Sequence, residues 1–310
     1  WLRGSLQSGI VSSGIYFGYG SVEGDDTSNS FTSSIDINTL DGVLKFDHNW
    51  PPVEKLNASI SLQNAELSIK APDAVIATTK LGEVSAQMFE RAAGMASMLR
   101  IESSTQLGAK GLDYWLAESP ISEHTQHISQ QLEFDGKFSA SITLDIPVSE
   151  GSGENDQSAE LVYLIETVMD GVTLRHPDSN IEFSDVSGLL EVSSQHGVRA
   201  QDVEVVAFGK PAALNIYTDF DEETYDHLVT NHRDDSFGEL SKTTLVLEGN
   251  TDIAEVFRFF GYDNTAYLEG MIAYQASLYL PNHDKAFPKV DIRSNLKGLK
   301  REWPAPLGKT

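Results

Sequence analysis

The sequence has no cysteine, no long apolar run and few basic residues. The lack of cysteine excludes a disulfide framework and thiolate chemistry. No apolar run approaches the roughly 18 residues that a membrane-spanning helix needs. Lys and Arg number 22 against 46 Asp and Glu, which gives a formal net charge of −24. Because this charge repels phosphate backbones and anionic lipid surfaces, we predict that neither nucleic acid nor an anionic membrane surface is a partner.

What the sequence does contain is a strict alternation of apolar and polar residues. In FSASITLDIPV, residues 138–148, the apolar side chains fall on one face and Ser, Thr and Asp on the other. A period of two is typical of a long strand that is buried on one side. The same alternation recurs in LNASISL (56–62), TTLVLEG (243–249) and IAYQASLYL (272–280). Asn, Asp and Gly between these segments indicate turns.

Few segments favour a helix. Residues 111–121 are one candidate, and residues 251–263 are another, with a cap at Thr251 or Asp252 and a stop at Gly261. Residues 83–98 are ambiguous, because their Ala and Met content also permits a helix. We therefore predict an all-β fold with minor α content, with strand in over half of the residues and helix in under a fifth.

The two halves of the chain share an order of elements. DGVLKF at 41–46 and DGVTLR at 170–175 each precede further strands, then a short helical candidate, then a long strand that ends in proline. We interpret the order as two related β modules, residues 1–150 and residues 159–310. The acidic, Gly/Ser-rich segment 150–158 would connect them. The alternative is that such turns recur by chance in any all-β chain.

Three stretches resemble a known family. SNLKGLKREWPAPLGKT at 294–310 fits the pattern S-x-L-x-G-L-x-x-x-x-P-x-P-L-x-K of the YhdP family of AsmA-like bacterial envelope proteins. The stretches at 1–22 and 46–69 resemble the entry and the W-P-P strand pair of the same family. Trp303 departs from the pattern, since the family often has leucine there. The resemblance implies that these 310 residues are an internal fragment of a longer protein.

The resemblance also implies a shape and a role. Members are pictured as long curved antiparallel sheets that form an open gutter with an apolar inner face. The expected function is to conduct phospholipid between the inner and outer membranes, as the periplasmic portion of an inner-membrane-anchored protein. The expected partners are phospholipid acyl chains, the inner membrane through an anchor outside this fragment, and further envelope proteins. Neither an enzyme nor a cofactor is expected.

Physical chemistry gives a reason for an apolar gutter. Moving two acyl chains of about 16 carbons from membrane to water costs roughly 25 kcal/mol, and only a continuous apolar surface removes that barrier. The few predicted helices would leave such a face uncovered. The predicted groove residues are Ile60, Leu62, Ile142, Leu144, Ile146, Leu245, Leu247, Ile272, Leu278 and Leu280. The ordinary alternative is that the same face packs against a second sheet or helix as a closed core.

Two other functions stay open at this point. An envelope assembly or scaffolding module of the same fold would contact proteins rather than lipid. A carbohydrate-active β enzyme would need paired carboxylates beside aromatic residues, and only DFDEETYD at 219–226 with Tyr217 and Tyr225 offers them. The same acidic segment lacks the spacing of a calcium loop. His124 and His127 have no third ligand nearby, so we predict a polar loop there and no metal site.

Overall fold

A computed structural model describes most of the chain. The described residues are 5–20, 32–46, 50–64, 66–90, 97–119, 121–148, 161–177, 181–218, 241–262, 268–281 and 289–301. Strands account for 73% of them and helices for 11%. The predicted all-β fold with minor α content is therefore confirmed. The segments 150–158 and 219–226, and the end of the family pattern from Glu302, lie outside the described residues.

The strands vary from two to fourteen residues in length. In chain order they are β1 (Leu6–Tyr19), β2 (Thr32–Leu44), β3 (Val53–Leu56), β4 (Ser59–Gln63), β5 (Glu66–Ala71), β6 (Ala74–Ile76), β7 (Thr79–Glu90), β8 (Ser97–Gly108), β9 (Glu133–Asp135), β10 (Lys137–Val148), β11 (Val162–Arg175), β12 (Glu182–Ser193), β13 (Gly197–Ala207), β14 (Lys210–Thr218), β15 (Ser241–Asp252), β16 (Leu268–Glu269), β17 (Met271–Pro281), β18 (Lys289–Arg293) and β19 (Lys300–Arg301). Seventeen of these strands belong to one large, mostly antiparallel sheet. The other two, β16 and β19, pair with each other.

The described residues divide into two compact units. Unit 1 is made of residues 1–107, 139–166 and 193–195, and unit 2 of residues 108–138, 167–192 and 196–310. The predicted modules 1–150 and 159–310 stay a prediction, because the connecting segment 150–158 lies outside the described residues.

In unit 1, apolar residues of neighbouring strands lie directly opposite one another. Ile60 of β4 pairs with Ile37 of β2 and with Ile69 of β5. Ile69 pairs in turn with Ala86 of β7, and Ala86 with Ile101 of β8. Cross-strand partners project from the same face of a sheet. The alternation seen in single strands therefore becomes one apolar row across five strands.

Unit 2 repeats this arrangement in two adjacent rows. The first row consists of Ile216, Leu245, Leu278 and Val290, from β14, β15, β17 and β18. The second row consists of Leu214, Leu247, Ala276 and Ile292 from the same four strands. On the opposite face of β15, the exposed Glu248 accepts a hydrogen bond of 2.8 Å from Gln275. The face that carries the two apolar rows is called the apolar face below.

The three helices in the described part of the chain belong to unit 2. Helix α1 spans Ala109–Glu118 and helix α3 spans Ile253–Phe259, so both predicted helical segments are confirmed, each shorter than expected. The Asp252 side chain accepts a hydrogen bond of 2.9 Å from the Ala254 backbone N–H and caps α3 as predicted. Residues 83–90 of the ambiguous segment are strand, as part of β7. No helix in the described part of the chain is long and apolar enough to cross a membrane.

The polar loop predicted around His124 and His127 is wrong, because both residues lie in helix α2, Ser122–Gln131. The side of this helix that carries Thr125 and Ile128 packs inward, and Ile128 is buried in the core. Thr125 is fully buried, and its hydroxyl donates to the carbonyl oxygens of Leu116 and Ile121 at 2.7 and 3.0 Å. Burial of one side of the segment, at Thr125 and Ile128, stabilises a helix where the mostly polar sequence favoured a loop.

Strand β1 differs from every other long strand. It pairs with β2 from Leu6 to Tyr19, yet all of its residues are exposed. Ile15, Phe17 and Tyr19 are 71%, 62% and 75% exposed. Their partners on β2 are polar, as in the pair between Ile15 and Asp36. One side of β1 therefore presents an exposed apolar stripe beside a polar strand.

Candidate functional site

The apolar face of unit 2 carries four of the ten predicted groove residues. Leu245, Leu247 and Leu278 are 2%, 4% and 4% exposed, and Leu280 is fully buried. Val290, at the β18 end of the first row, is 41% exposed. The face therefore changes from closed packing at β14 and β15 to partial exposure at β18.

Helices α1 and α2 cover one part of this face, which corrects the expectation that too few helices exist to cover the sheet. A cavity of only about 30 Å³ remains between the helices and the strands. The helices contribute Leu112, Leu116 and Ile128 to it, and the sheet contributes Leu245 and Leu280 among others. Close packing of this kind is typical of a protein core. Leu280 thus has a structural role beneath the helix pair.

A larger opening lies on the uncovered part of the same face. This cavity, called the apolar pocket below, has a volume of about 290 Å³. Leu245, Leu247 and Leu278 of the predicted groove residues line it, together with Phe183 of β12 and Val290 of β18. Its volume lies near the lower end of the roughly 300–1,000 Å³ that is usual for ligand sites. Leu245 borders both cavities, so it separates the helix-covered part of the face from the pocket.

Charged side chains stand beside this apolar lining. Helix α3 contributes Glu255 and Arg258, which form an ion pair with each other and are 41% and 50% exposed at their side chains. Glu182 of β12 also lines the pocket, and Arg175 binds its carboxylate at 2.9 and 3.0 Å. The lining is therefore apolar with a charged rim, and each rim carboxylate is matched by a guanidinium.

An aromatic cluster closes the pocket beside α3. The ring of Phe208 lies edge-on to those of Phe259 and Tyr274, with both centroid distances 5.3 Å. Phe208 has a φ of +50°, where a bulky residue is strained, in the two-residue turn between β13 and β14. The contacts of the Phe208 ring with Phe259 and Tyr274 offset this backbone strain. Strained residues often mark functional sites.

Behind Phe208, Tyr274 is 5% exposed, and its hydroxyl has no hydrogen-bond partner among the described residues. Burial raises the pKa of Tyr274 to about 12. A Cβ at Gly249 would approach this hydroxyl to 3.0 Å, which explains a glycine opposite the ring.

The remaining predicted groove residues lie elsewhere. Ile272 packs with Ile253 and Val256 under helix α3, so it belongs to a small core beneath that helix. In unit 1, Ile142, Leu144 and Ile146 are 7%, 4% and 3% exposed. Ile60 and Leu62, also in unit 1, are half-buried.

A polar clamp holds two strands of unit 1 together. Arg100 of β8 donates two hydrogen bonds of 2.8 Å to the Asp145 carboxylate of β10. These bonds, together with the charge of Asp145, raise the pKa of Arg100 above its ordinary value. The guanidinium also lies 4.8 Å from the centroid of the Phe89 ring. The clamp joins strands that pair side by side in the sheet and has no evident binding role.

The structure thus brings together three of the ten predicted groove residues in one pocket. Sequence reasoning missed Phe208, Glu255 and Arg258 at this site. A signal existed for Phe208, because a phenylalanine before Gly209 in a tight turn is unusual where Asn-Gly or Asp-Gly is preferred. No local signal marks the ion pair, since such pairs are common on exposed helix surfaces.

The described residues of the apolar pocket offer apolar contacts and charged groups to a ligand. Among the residues that the structure describes, no group of three or more His, Asp or Glu side chains is placed to hold a metal ion. The acidic segment 219–226 proposed for an enzyme lies outside the described ranges. What the arrangement can do is hold an apolar chain with a polar end near Glu255 and Arg258.

Comparison with known proteins identifies a family for the chain. The model of a protein family described as YhdP protein matches residues 1–310, which is the whole sequence. No curated protein and no solved structure matched the chain.

Proposed function

Because the chain belongs to the YhdP family of bacterial envelope proteins, we propose that it conducts phospholipid between the inner and outer membranes along its apolar sheet face. In this proposal it is the periplasmic part of a protein anchored in the inner membrane, and it acts without catalysis or a cofactor. The acyl chains would lie on the apolar rows while the polar headgroup stays in water.

The observation that carries the proposal is the register of the apolar rows. Residues with matching side chains lie opposite one another in successive strands, as Ile216, Leu245 and Leu278 do. Such rows run across the strands, so on the part of the face that α1 and α2 leave uncovered, from Leu278 of β17 to Val290 of β18, an acyl chain can pass from one strand to the next without meeting polar side chains. Each methylene kept out of water contributes about 0.8 kcal/mol.

The uncovered pocket supports the proposal further. A face that serves only as a core would be closed by packing, as it is beneath α1 and α2. The apolar pocket instead leaves about 290 Å³ of space beside Leu247 and Leu278. An acyl chain is the kind of ligand that such a lining favours, because it offers no hydrogen-bonding groups that would need partners.

The test is to fill the pocket without adding charge. Ala276 is half-buried and lines the pocket, so Ala276→Phe would occupy the space of the acyl chain. Ala273→Phe is the matched control. Ala273 is exposed, and its side chain lies on the face of β17 opposite to the pocket wall. We expect phospholipid that co-purifies with the protein, measured by mass spectrometry, to fall for Ala276→Phe and to remain for Ala273→Phe.

Two results would contradict the proposal. A wild-type protein that carries no phospholipid after incubation with vesicles would remove its basis. Equal lipid content in wild type and both variants, with unchanged melting temperatures, would show that the apolar pocket is not on the path.

A second candidate, an envelope assembly module, is favoured by one observation. The exposed side chains of Ile15, Phe17 and Tyr19 on β1 lie on the face where β2 presents polar residues. Exposed apolar patches of this kind are typical of protein contact sites. Phe17→Ser would weaken assembly with a protein partner under this candidate and leave bound phospholipid unchanged.

A further inference from the structure

The ion pair at the rim of the apolar pocket offers charged groups to a ligand, whereas the apolar rows account only for the binding of acyl chains. Glu255 and Arg258 occupy one turn of helix α3, and both line the pocket. Their side chains are about half exposed, so a ligand can reach them. Among the described residues that line the pocket, the only other charged one is Glu182, whose carboxylate is bound by Arg175. Helix α3 therefore offers the pocket one accessible carboxylate, that of Glu255, and one accessible guanidinium, that of Arg258.

These two groups complement a zwitterion. A guanidinium binds phosphate oxygens through two parallel hydrogen bonds. A carboxylate accepts hydrogen bonds from an ammonium group. An exposed ion pair is weak, so the headgroup charges can replace the contact between Glu255 and Arg258 at little cost. A headgroup with a phosphodiester and a primary ammonium would satisfy both side chains at once.

The net charge of the whole chain also favours a zwitterionic headgroup over an anionic one. The formal net charge is −24, and this field disfavours an anionic ligand more than a neutral one. A phosphoglycerol headgroup carries a net negative charge and has no ammonium group for Glu255. It would therefore leave the carboxylate beside a like charge.

We propose that Glu255 and Arg258 form a recognition site for phosphoethanolamine headgroups, with Arg258 on the phosphate and Glu255 on the ammonium, while one acyl chain enters the apolar pocket. This inference rests on the proposed lipid-conducting function. It adds that the chain selects among phospholipids by their headgroup, and that it does so at the apolar pocket.

The experiment compares two variants that each remove one negative charge. Glu255→Gln removes the negative charge that the proposed site offers to the ammonium group. Asp291→Asn removes an ion-paired carboxylate that Arg293 binds, on the side of β18 opposite to Val290 and Ile292. The purified proteins are incubated with vesicles of equimolar phosphatidylethanolamine and phosphatidylglycerol with identical acyl chains. The bound lipids are then quantified by mass spectrometry.

We expect the wild type to enrich phosphatidylethanolamine over the vesicle composition. Glu255→Gln should lower the ratio of the two bound lipids by at least about threefold, the effect of losing one exposed charged contact. Total bound lipid should change little, because the acyl-chain site is intact. Asp291→Asn should match the wild type in both measurements. Arg258→Gln should reduce both phospholipids but leave the binding of diacylglycerol, which lacks a phosphate, unchanged.

The outcomes separate this inference from the proposed function. Bound lipid without headgroup enrichment, or the same ratio in Glu255→Gln and Asp291→Asn, would overturn headgroup recognition and leave lipid conduction standing. A wild type that binds neither phospholipid would overturn both. Because Glu255 is half exposed, its substitution should leave the melting temperature near that of the wild type, which is measured alongside.

Discussion

Replacing Tyr274 by phenylalanine should stabilise unit 2, because the tyrosine hydroxyl is buried without a hydrogen-bond partner in the part of the chain that the structure describes. A buried hydroxyl in that state typically costs about 1 kcal/mol or more, and phenylalanine keeps the ring while removing the group. The edge-on contact with Phe208, at 5.3 Å between centroids, should be retained. For a unit of this size, 1 kcal/mol corresponds to a rise of about 2–4 °C in melting temperature.

The same substitution should remove a loss of stability in alkali. Burial raises the pKa of Tyr274 from 10.0 to about 12. As the pH rises from 10 toward 12, the unfolded chain releases this proton and the folded chain keeps it. The unfolded state is thereby favoured, and the stability of the wild type falls. A shift of two pKa units corresponds to about 2–3 kcal/mol of unfolding free energy over that interval.

The assay is thermal unfolding of wild type and Tyr274→Phe at pH 7, 9, 10 and 11. Tyr262→Phe serves as the control, since Tyr262 is 63% exposed. The melting temperature of Tyr274→Phe should exceed that of the wild type at pH 7, and the difference should widen above pH 10. The reasoning is refuted if Tyr274→Phe melts lower than the wild type at pH 7, since the hydroxyl would then have a stabilising partner. A constant difference up to pH 11 would refute the raised pKa.

Three further substitutions test the structure elsewhere. Arg100→Gln should destabilise unit 1 by about 1–2 kcal/mol in thermal or urea unfolding, because the Asp145 carboxylate loses both of its 2.8 Å hydrogen bonds. An unchanged unfolding transition would show that the clamp does not stabilise the unit. Asp113→Asn should raise the melting temperature at pH 7, because partial desolvation raises the pKa of Asp113 above 3.8 and disfavours its charged form. That gain should shrink as the pH falls toward 3.8, and a gain that grows in acid would contradict the assignment. Leu144→Asp should lower the free energy of unfolding by about 3 kcal/mol or more, since the Leu144 side chain is 4% exposed. The control Thr143→Asp should lower it little. Equal melting temperatures of the two variants would show that Leu144 is accessible to water.

The alternation of apolar and polar residues along the sequence is enough to predict much of the fold. Alternation in residues 138–148, 243–249 and 272–280 correctly predicted long strands with one apolar face. The cap at Asp252 and the following apolar residues correctly predicted helix α3. These features are local, because a period of two fixes which side chains share a face within one strand and a cap acts within one turn.

The candidate site could be predicted only in part. Leu245, Leu247 and Leu278 were recognised as members of an apolar face, yet nothing in their own segments indicates that they meet in one pocket. Leu245 and Leu278 are far apart in the chain and become neighbours only through the register of β15 with β17. Register depends on the pairing of whole strands, which a single strand's pattern does not specify.

What covers the apolar face was decided by the tertiary structure alone. The same alternation occurs at Leu280, which is sealed beneath helices α1 and α2, and at Leu278, which borders the apolar pocket. The sequence by itself determined that these strands have an apolar side, because burial of every second residue is the condition for a stable sheet. Only the folded chain determined where that side is packed and where it stays open, since this depends on where distant helices dock. The same docking places Glu255 and Arg258 of α3 at the rim of the pocket.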